Sequence, residues 1–359
     1  MNTQPNESKN SDKCFLLYGN CFAINGSRRS LILDIQNKKK YYIPNDLYSI
    51  LIEYQGNTIN EINSFFSFES INIINEYFDF LIEKNLIFFC ETEELNYFPR
   101  ISLVWDSPSI ITNAIIEYDG SYDMENVLNQ LNALGCYHIQ FVFGKLLNNF
   151  KVVSDLFRNT QNSTFKSFEV IIKNANYDLD SLELFLKENI RVRNLIVYSS
   201  LKEEEISFDN EFIGKLIFTQ KQFIVEELFI KPYEEFILNL DYVSEAKLHN
   251  TYYNRKLAVS KDGHIKNSLN QVEQYGNVQD NEIRVIVESK EFQKLWNLNK
   301  DEIEICKDCE HRYICFDGRI PFLKENVWKY STVCNYNPYI AKWDKDDGYV
   351  TIEEKEINI

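Results

Sequence analysis

Cys306-Lys307-Asp308-Cys309-Glu310-His311-Arg312-Tyr313-Ile314-Cys315, followed after eighteen residues by Cys334-Asn335-Tyr336-Asn337-Pro338-Tyr339, holds four of the chain's eight cysteines. The spacing is Cys-x2-Cys-x5-Cys-x18-Cys. A two-residue gap lets a tight turn aim two thiolates at one point. A third and fourth sulfur arriving from farther along then close a tetrahedral set around zinc or hold a cuboidal iron-sulfur cluster. Unrelated free cysteines are ordinarily scattered as packed thiols, so bunching of this kind points to metal. The spacing leaves iron-sulfur and zinc open. His311, between two of the cysteines, offers a Cys3His zinc alternative, although Cys334 already supplies a fourth sulfur.

Working outward, 359 residues with 44% apolar content are enough for two or three domains, each with its own core. No apolar run approaches the ~18 to 20 residues that cross a bilayer, and residues 1–13 lack the apolar core of a signal peptide, so a cytoplasmic protein is expected. Thiols stay reduced there, which again favours metal over disulfides. A net charge of -16 disfavours nucleic acid and anionic membranes as partners. Homodimerisation is left open.

The cysteine stretch also carries a resemblance. Gly263-x4, a helix around Phe292 and Trp296, then Cys306-x2-Cys309-x5-Cys315 and a distant Cys334 resemble the SPASM domain of radical SAM peptide maturases. That family holds two auxiliary 4Fe-4S clusters with the pattern C-x9 to 15-G-x4-C, gap, C-x2-C-x5-C-x3-C, gap, C. Carried over, Cys306, Cys309, Cys315 and Cys334 match the set ligating the second cluster. The first set is missing, since Ser268 and Arg319 stand where cysteines should be. The resemblance therefore implies one 4Fe-4S cluster. The wording around the knot further resembles the SPASM-type maturase of the grasp-with-spasm peptide systems, encoded beside an ATP-grasp ligase. It implies maturation of a ribosomally made peptide, with the precursor's leader and that ligase as partners.

Residues 14–43 alternate in short apolar runs and predict a small antiparallel sheet. Helices follow at about 46–54, 58–66 and 70–84, the second with a capping box from Thr58 to Glu61, and a strand returns at 86–90. This order is winged-helix-like. Between Pro44 and Cys90 there are seven acids and one base, Lys84, which argues against DNA. The arrangement resembles the PqqD-like leader-recognition element, in which a leader peptide adds as a strand to a sheet edge and lies on the third helix. The candidate peptide-binding residues are Lys40, Tyr41, Tyr42 and Ile43 on the edge, with Ile73, Tyr77 and Phe80 as a second apolar stripe opposite the core stripe of Ile71, Ile74, Phe78 and Leu81. Arg28, Arg29 and Lys38 to Lys40 form a basic cluster, read as a solvated turn or an attraction for an acidic leader.

From residue 98 to 245 strand and helix alternate, with strands expected near 101–105, 112–118, 136–143, 167–173, 193–199 and 215–219. Units of this kind imply parallel strands with crossover helices. With the resemblance, they read as a degenerate, partial TIM-type barrel. The C-x3-C-x2-C triplet that would bind a cluster and S-adenosylmethionine is absent. No S-adenosylmethionine chemistry is expected, and Cys14, Cys21, Cys90 and Cys136 read as packed thiols. Beyond 245 a hairpin turning at Asp262-Gly263 and a helix at 288–298 lead to the knot, around which Arg312, Tyr313, Trp328 and Tyr336 are expected to pack. The expected α/β chain thus has a leader-recognition domain at 12–97, a degenerate barrel at 98–245, a SPASM metal-binding domain at 246–345 and an acidic tail at 346–359. Its expected role is that of a non-radical accessory to the ligase. The alternatives are a redox or substrate-binding iron-sulfur enzyme and a zinc-dependent winged-helix regulator.

Overall fold

A computed structural model describes residues 11–144, 150–158, 160–175, 177–208, 213–222 and 236–352. Among the described residues no helix is long and apolar enough to cross a membrane. The part of the acidic tail from 353 onward lies outside them.

The alternating runs near the start form two sheets rather than the single one expected. Strand β1 (Cys14–Leu17) pairs antiparallel with β5 (Ile87–Cys90), while β2 (Cys21–Ile24), β3 (Ser30–Asp34) and β4 (Lys39–Ile43) form a separate antiparallel sheet. The break falls at Gly19-Asn20, where Cys21 N–H donates back to the Tyr18 carbonyl and turns the chain out of β1. Helices α1 (Asn45–Glu53), α2 (Ile59–Phe65) and α3 (Phe68–Glu83) follow, and Thr58 and Glu61 close the expected capping box at the start of α2. In α3, Ile74, Phe78 and Leu81 are buried, and Phe78 meets Phe15 edge to face at 5.0 Å. Burying three such side chains contributes roughly 1.5 to 3 kcal/mol each, which holds the helix against both sheets.

Nine strands make the large sheet, in the order β10-β11-β9-β8-β7-β6-β12-β13-β14. Strands β6 (Asn113–Glu117), β7 (His138–Phe143), β8 (Ser167–Lys173), β9 (Val192–Tyr198), β11 (Lys215–Phe218) and β12 (Lys256–Val259) run parallel; β10 (Glu204–Ser207), β13 (His264–Lys266) and β14 (Gly276–Asn277) run antiparallel to their neighbours. The protein is a mixed α/β chain built on this parallel-rich sheet. Helices α4 (Met124–Ala133), α5 (Lys151–Arg158) and α6 (Leu179–Glu188) connect its central strands. Phe157 of α5 meets Phe141, Phe168 and Phe185 with ring centroids 5.0 to 5.3 Å apart, so aromatic edges seal α5 and α6 to one face.

Two expected elements are corrected. Residues 101–105 form no strand; Val104 is 83% exposed, and the stretch has no neighbour to pair with, so alternation alone could not make it one. The helix expected at 288–298 is instead α8 (Ile283–Val287) followed, after a Ser289 turn, by a 3-10 turn at Phe292–Lys294. The Ser289 hydroxyl accepts the Phe292 N–H and so interrupts the helical ladder. The predicted hairpin turns at Gly263, whose φ of +82° suits glycine, and its first strand lies beside β6. The sheet is therefore continuous from residue 113 to 277, across 245. After α7 (Leu240–Leu248), the C-terminal region adds the hairpin β15 (Pro321–Lys324) and β16 (Val327–Tyr330), then the short pair β17 (Tyr336–Asn337) and β18 (Lys342–Trp343).

Candidate metal centre

Cys306 opens a 3-10 turn, Cys306–Asp308, whose end is set by Cys309 N–H donating to the Cys306 carbonyl at 3.0 Å. The residue before it, Ile305, has φ +71° and ψ -48°, close to a γ-turn that a β-branched side chain occupies only at a cost of about 1 to 3 kcal/mol. His311 N–H then donates to Cys309 Sγ at 3.4 Å, and Tyr336 N–H donates to Cys334 Sγ at 3.5 Å. Both sulfurs accept an amide two residues ahead, the arrangement that stabilises a thiolate held by metal.

All four cysteines line one cavity of about 40 Å³, with Lys300, His311, Asp317, Arg319, Tyr336 and Trp343 among its other walls. A tetrahedral zinc site with Zn–S near 2.3 Å needs sulfurs about 3.8 Å apart and leaves no space between them. Among the described residues the one trio of ligand atoms drawn within 4.8 Å is Cys309, Glu310 and His311, so no three of the four thiols meet within that distance. A cavity of this size holds more than one water-sized body, so it admits a multi-atom cluster as well as a single ion. The trio itself is a poorer ligand set, because Glu310 is ion-paired with Arg29 at 2.8 Å and accepts from the Tyr336 hydroxyl, and His311 Nε2 lies 2.9 Å from the Tyr42 hydroxyl.

Electrostatics around the cavity keep its empty thiols neutral. Burial pushes the Cys306 thiol up to about 12, raises Cys309, Cys315 and Cys334 as well, and so keeps the metal-free thiols protonated. Binding metal would release those protons. Two buried cations stand ready to offset thiolate charge. Burial works against the charge on Lys300, yet anionic neighbours, a Cys315 thiolate foremost and the Asp317 carboxylate among them, would hold its ammonium above the usual lysine range once metal binding ionises the thiols, and it donates to the Cys315 carbonyl. Arg319, where the resemblance expects a cysteine, forms a buried pair with Asp317 at 2.6 Å; burial works against its charge, and Asp317 first, with Cys334 and Cys306 adding less, holds it above the usual arginine range. Ser268, at the other missing position, is fully buried and bonded to Asn270 at 2.6 Å. Both replacements have defined partners of their own.

The expected ring of aromatics is partly redrawn. Arg312 and Tyr336 do line the cavity, but Tyr313 turns away to Asp301 at 2.6 Å and Trp328 sits in the β15-β16 hairpin. In their place stand Phe236 and Trp343, which flank the His311 ring at centroid distances of 4.4 and 6.2 Å. Neither carries a spacing signal relative to the cysteines. Within this cage burial, and then Lys40 and Arg29, pull the His311 imidazole down to about 3, so it is neutral.

The residues singled out for peptide binding fall in two places. Lys40 and Tyr42 face the knot: the Lys40 ammonium lies 3.9 Å over Phe236, the Arg29 guanidinium 3.6 Å over Tyr42, and Tyr42 contacts His311. The basic cluster is therefore no solvated turn at Arg29 and Lys40. It is the seam between the first sheet and the cysteine stretch, completed by Ser27 N–H to the Asp308 carbonyl at 2.7 Å and Arg312 to the Asn25 side chain at 2.7 Å. Gly26 permits this approach, because a Cβ there would stand 2.9 Å from the Glu310 backbone nitrogen. On the other side Tyr41 meets Phe80 edge to face at 6.2 Å; Tyr77 and Phe80 are half-buried against the rim of the N-terminal core, Ile73 is 50% exposed and Ile43 is buried. Strand β4 pairs only with β3 among the described residues.

No family model matches the chain, and no curated protein matches it. Among solved structures it is similar to Streptococcus suis SuiB bound to S-adenosylmethionine, with 11% identity, 84% of this chain and 94% of that one covered, and a TM-score of 0.27. SuiB bound to precursor peptide SuiA gives 9%, 84%, 94% and 0.29. SuiB described without a ligand gives 10%, 83%, 94% and 0.29. The first neighbour's S-adenosylmethionine does not fit the expectation for this chain. Superpositions this loose carry no argument about fold or activity, and the reading below rests on the site.

Proposed function

We propose that the protein takes part in maturing a ribosomally made peptide, holding the precursor's leader on the outer edge of β4 and one iron-sulfur cluster on Cys306, Cys309, Cys315 and Cys334. The observation that carries this reading is the junction of the two: Tyr42 of the edge strand contacts His311, inside the cysteine stretch, at 2.9 Å. The proposed units are a PqqD-like, winged-helix-like leader-recognition domain at 12–97, a degenerate radical SAM-like partial barrel at 98–245, a SPASM domain at 246–345 and an acidic tail beyond. With no C-x3-C-x2-C triplet in the chain, the proposed role is that of a non-radical accessory scaffold working with an ATP-grasp ligase. When bound, the cluster would supply a fixed, charge-balanced anchor for the C-terminal fold and an electron reservoir; the chain's own residues shield it and tie it to the leader edge.

Titrating the full chain with a leader peptide, isotopically labelled and followed by amide exchange, tests the reading. Protection of the β4 edge supports it. Binding elsewhere, or none by any precursor leader tried, removes leader recognition.

A further inference from the structure

Parallel sheets with both faces covered are ordinarily apolar on both. The face of this sheet turned away from α5 and α6 breaks that rule at the starting ends of its strands. The register sets Asn113, His138 and Ser167 in one cross-strand row and Gln140, Glu169 and Asn194 in another. They line a cavity of about 430 Å³, closed by Thr251, Tyr252, Lys256 and Phe316. The cavity lies away from the cysteines, at the end of the strands opposite to the one where open α/β sheets ordinarily take ligands.

The groups in it form an acceptor-rich centre. Gln140 Nε2 donates to one oxygen of Glu169, and Asn194 Nδ2 donates to the other at 2.9 Å. The carboxylate is thereby fixed with lone pairs still free. Gln140 Oε1 is buried and has no hydrogen-bond partner. Leaving a buried amide oxygen unpaired costs about 1 to 3 kcal/mol, so a donor arriving there is favoured. Around this centre His138, paired with Ser167 at 2.6 Å, is held below the usual histidine range by burial and then by Lys166, and is neutral. The other charges are Arg193, exposed at the mouth, and Lys256 on β12, three strands from Glu169 and therefore about 14 Å away along the sheet. Lys256 stacks 3.5 Å over Tyr252, and burial brings its ammonium down to about 7, which limits its repulsion.

We infer that this cavity is a second binding site, specific for a primary ammonium group, with Glu169 as counter-ion and Gln140 Oε1 as the second acceptor. The inference stands independently of the leader reading, because it uses neither β4 nor the cysteines. The ligand class is an aliphatic ammonium such as a lysine side chain presented on a peptide.

Nuclear magnetic resonance titration of the full chain with Nα-acetyl-lysine amide tests it, with Nα-acetyl-norleucine amide as the uncharged control of similar stem. The lysine probe is expected to shift amides of Gln140, Glu169 and Asn194, and the norleucine probe to leave them in place. Glu169→Gln should weaken lysine binding by about tenfold or more, the size of a lost charged hydrogen bond. Arg193→Gln, which removes the exposed cation at the mouth and leaves Glu169 and its two donors in place, should tighten it by about threefold and gives a readout even if Glu169→Gln unfolds. Equal response to both probes, no response to lysine, or weaker lysine binding in Arg193→Gln overturns the inference.

Discussion

Arg29 shows how one side chain can join two distant parts of the chain. It pairs with Glu310, whose side chain is fully buried, and at the same time covers Tyr42. Removing it would leave a buried carboxylate with only the Tyr336 hydroxyl as a strong donor. Breaking a buried pair from one side costs about 3 kcal/mol. Arg29→Ala is therefore expected to destabilise the protein by about 3 kcal/mol in urea unfolding, whereas Arg28→Ala, which has no such partner among the described residues, should cost under about 0.5 kcal/mol. Equal effects would mean that the seam contributes nothing. Arg29 was legible in the sequence as a charge and not as a contact, because its partner lies 281 positions away and no local period links them. The cysteines were legible as a group because their chemistry is written in short spacings; Phe236 and Trp343 were not, since packing around a metal leaves no periodic trace.

At the scale of elements, α3 and β4 define the proposed groove. Placing roughly 100 Å² of apolar leader surface there would contribute about 2.5 kcal/mol before ordering costs, consistent with micromolar affinity. Tyr77 is half-buried against the N-terminal core, so a charge there also strains the domain; Ile73, 50% exposed, is the cleaner probe. Ile73→Asp is expected to weaken leader binding about tenfold with an unchanged melting temperature, as measured by calorimetric titration and thermal unfolding. Unchanged affinity would move the leader off this groove. Helix α7 carries a different signature. Burial lifts the Glu245 carboxyl to about 7, with Asp241 adding to it and Asn254 and Arg255 pulling it back, from an ordinary value of 4.5. Between those two values the folded chain binds the proton and the unfolded chain does not, so this contribution to stability falls as pH rises from 4.5 through 7. Glu245→Gln should gain stability at pH 8 relative to wild type and lose that advantage at pH 5. An advantage independent of pH would refute the assignment. Seven of the nine strands of the large sheet and the three helices before it were legible from their periods of 2 and 3.6, because core-facing residues impose them; β10, exposed at three of its four residues, and the two-residue β14 carry no such period. Residues 101–105 have the composition of a strand but no partner, and pairing is what the sequence of one strand cannot state.

For the molecule as a whole, the missing triplet predicts that anaerobically reconstituted protein, given dithionite and S-adenosylmethionine, yields no 5'-deoxyadenosine above a blank; steady release would end the non-radical reading. The sheet's continuity through residue 245 was not legible in advance, because β12 joins β6 by pairing residues 143 positions apart, Asn113 with Lys256 onward, and its parallel pairing has no local signal. What most needs deciding is the occupant of the four thiols. Iron, acid-labile sulfide and zinc should be measured on protein purified and reconstituted without oxygen, beside Cys309→Ala treated identically. One cluster predicts about four irons and four sulfides per chain, little zinc, and loss of this set in the variant with earlier melting of the C-terminal third. One zinc and no sulfide per chain, or a variant that keeps full iron and full stability, would contradict it.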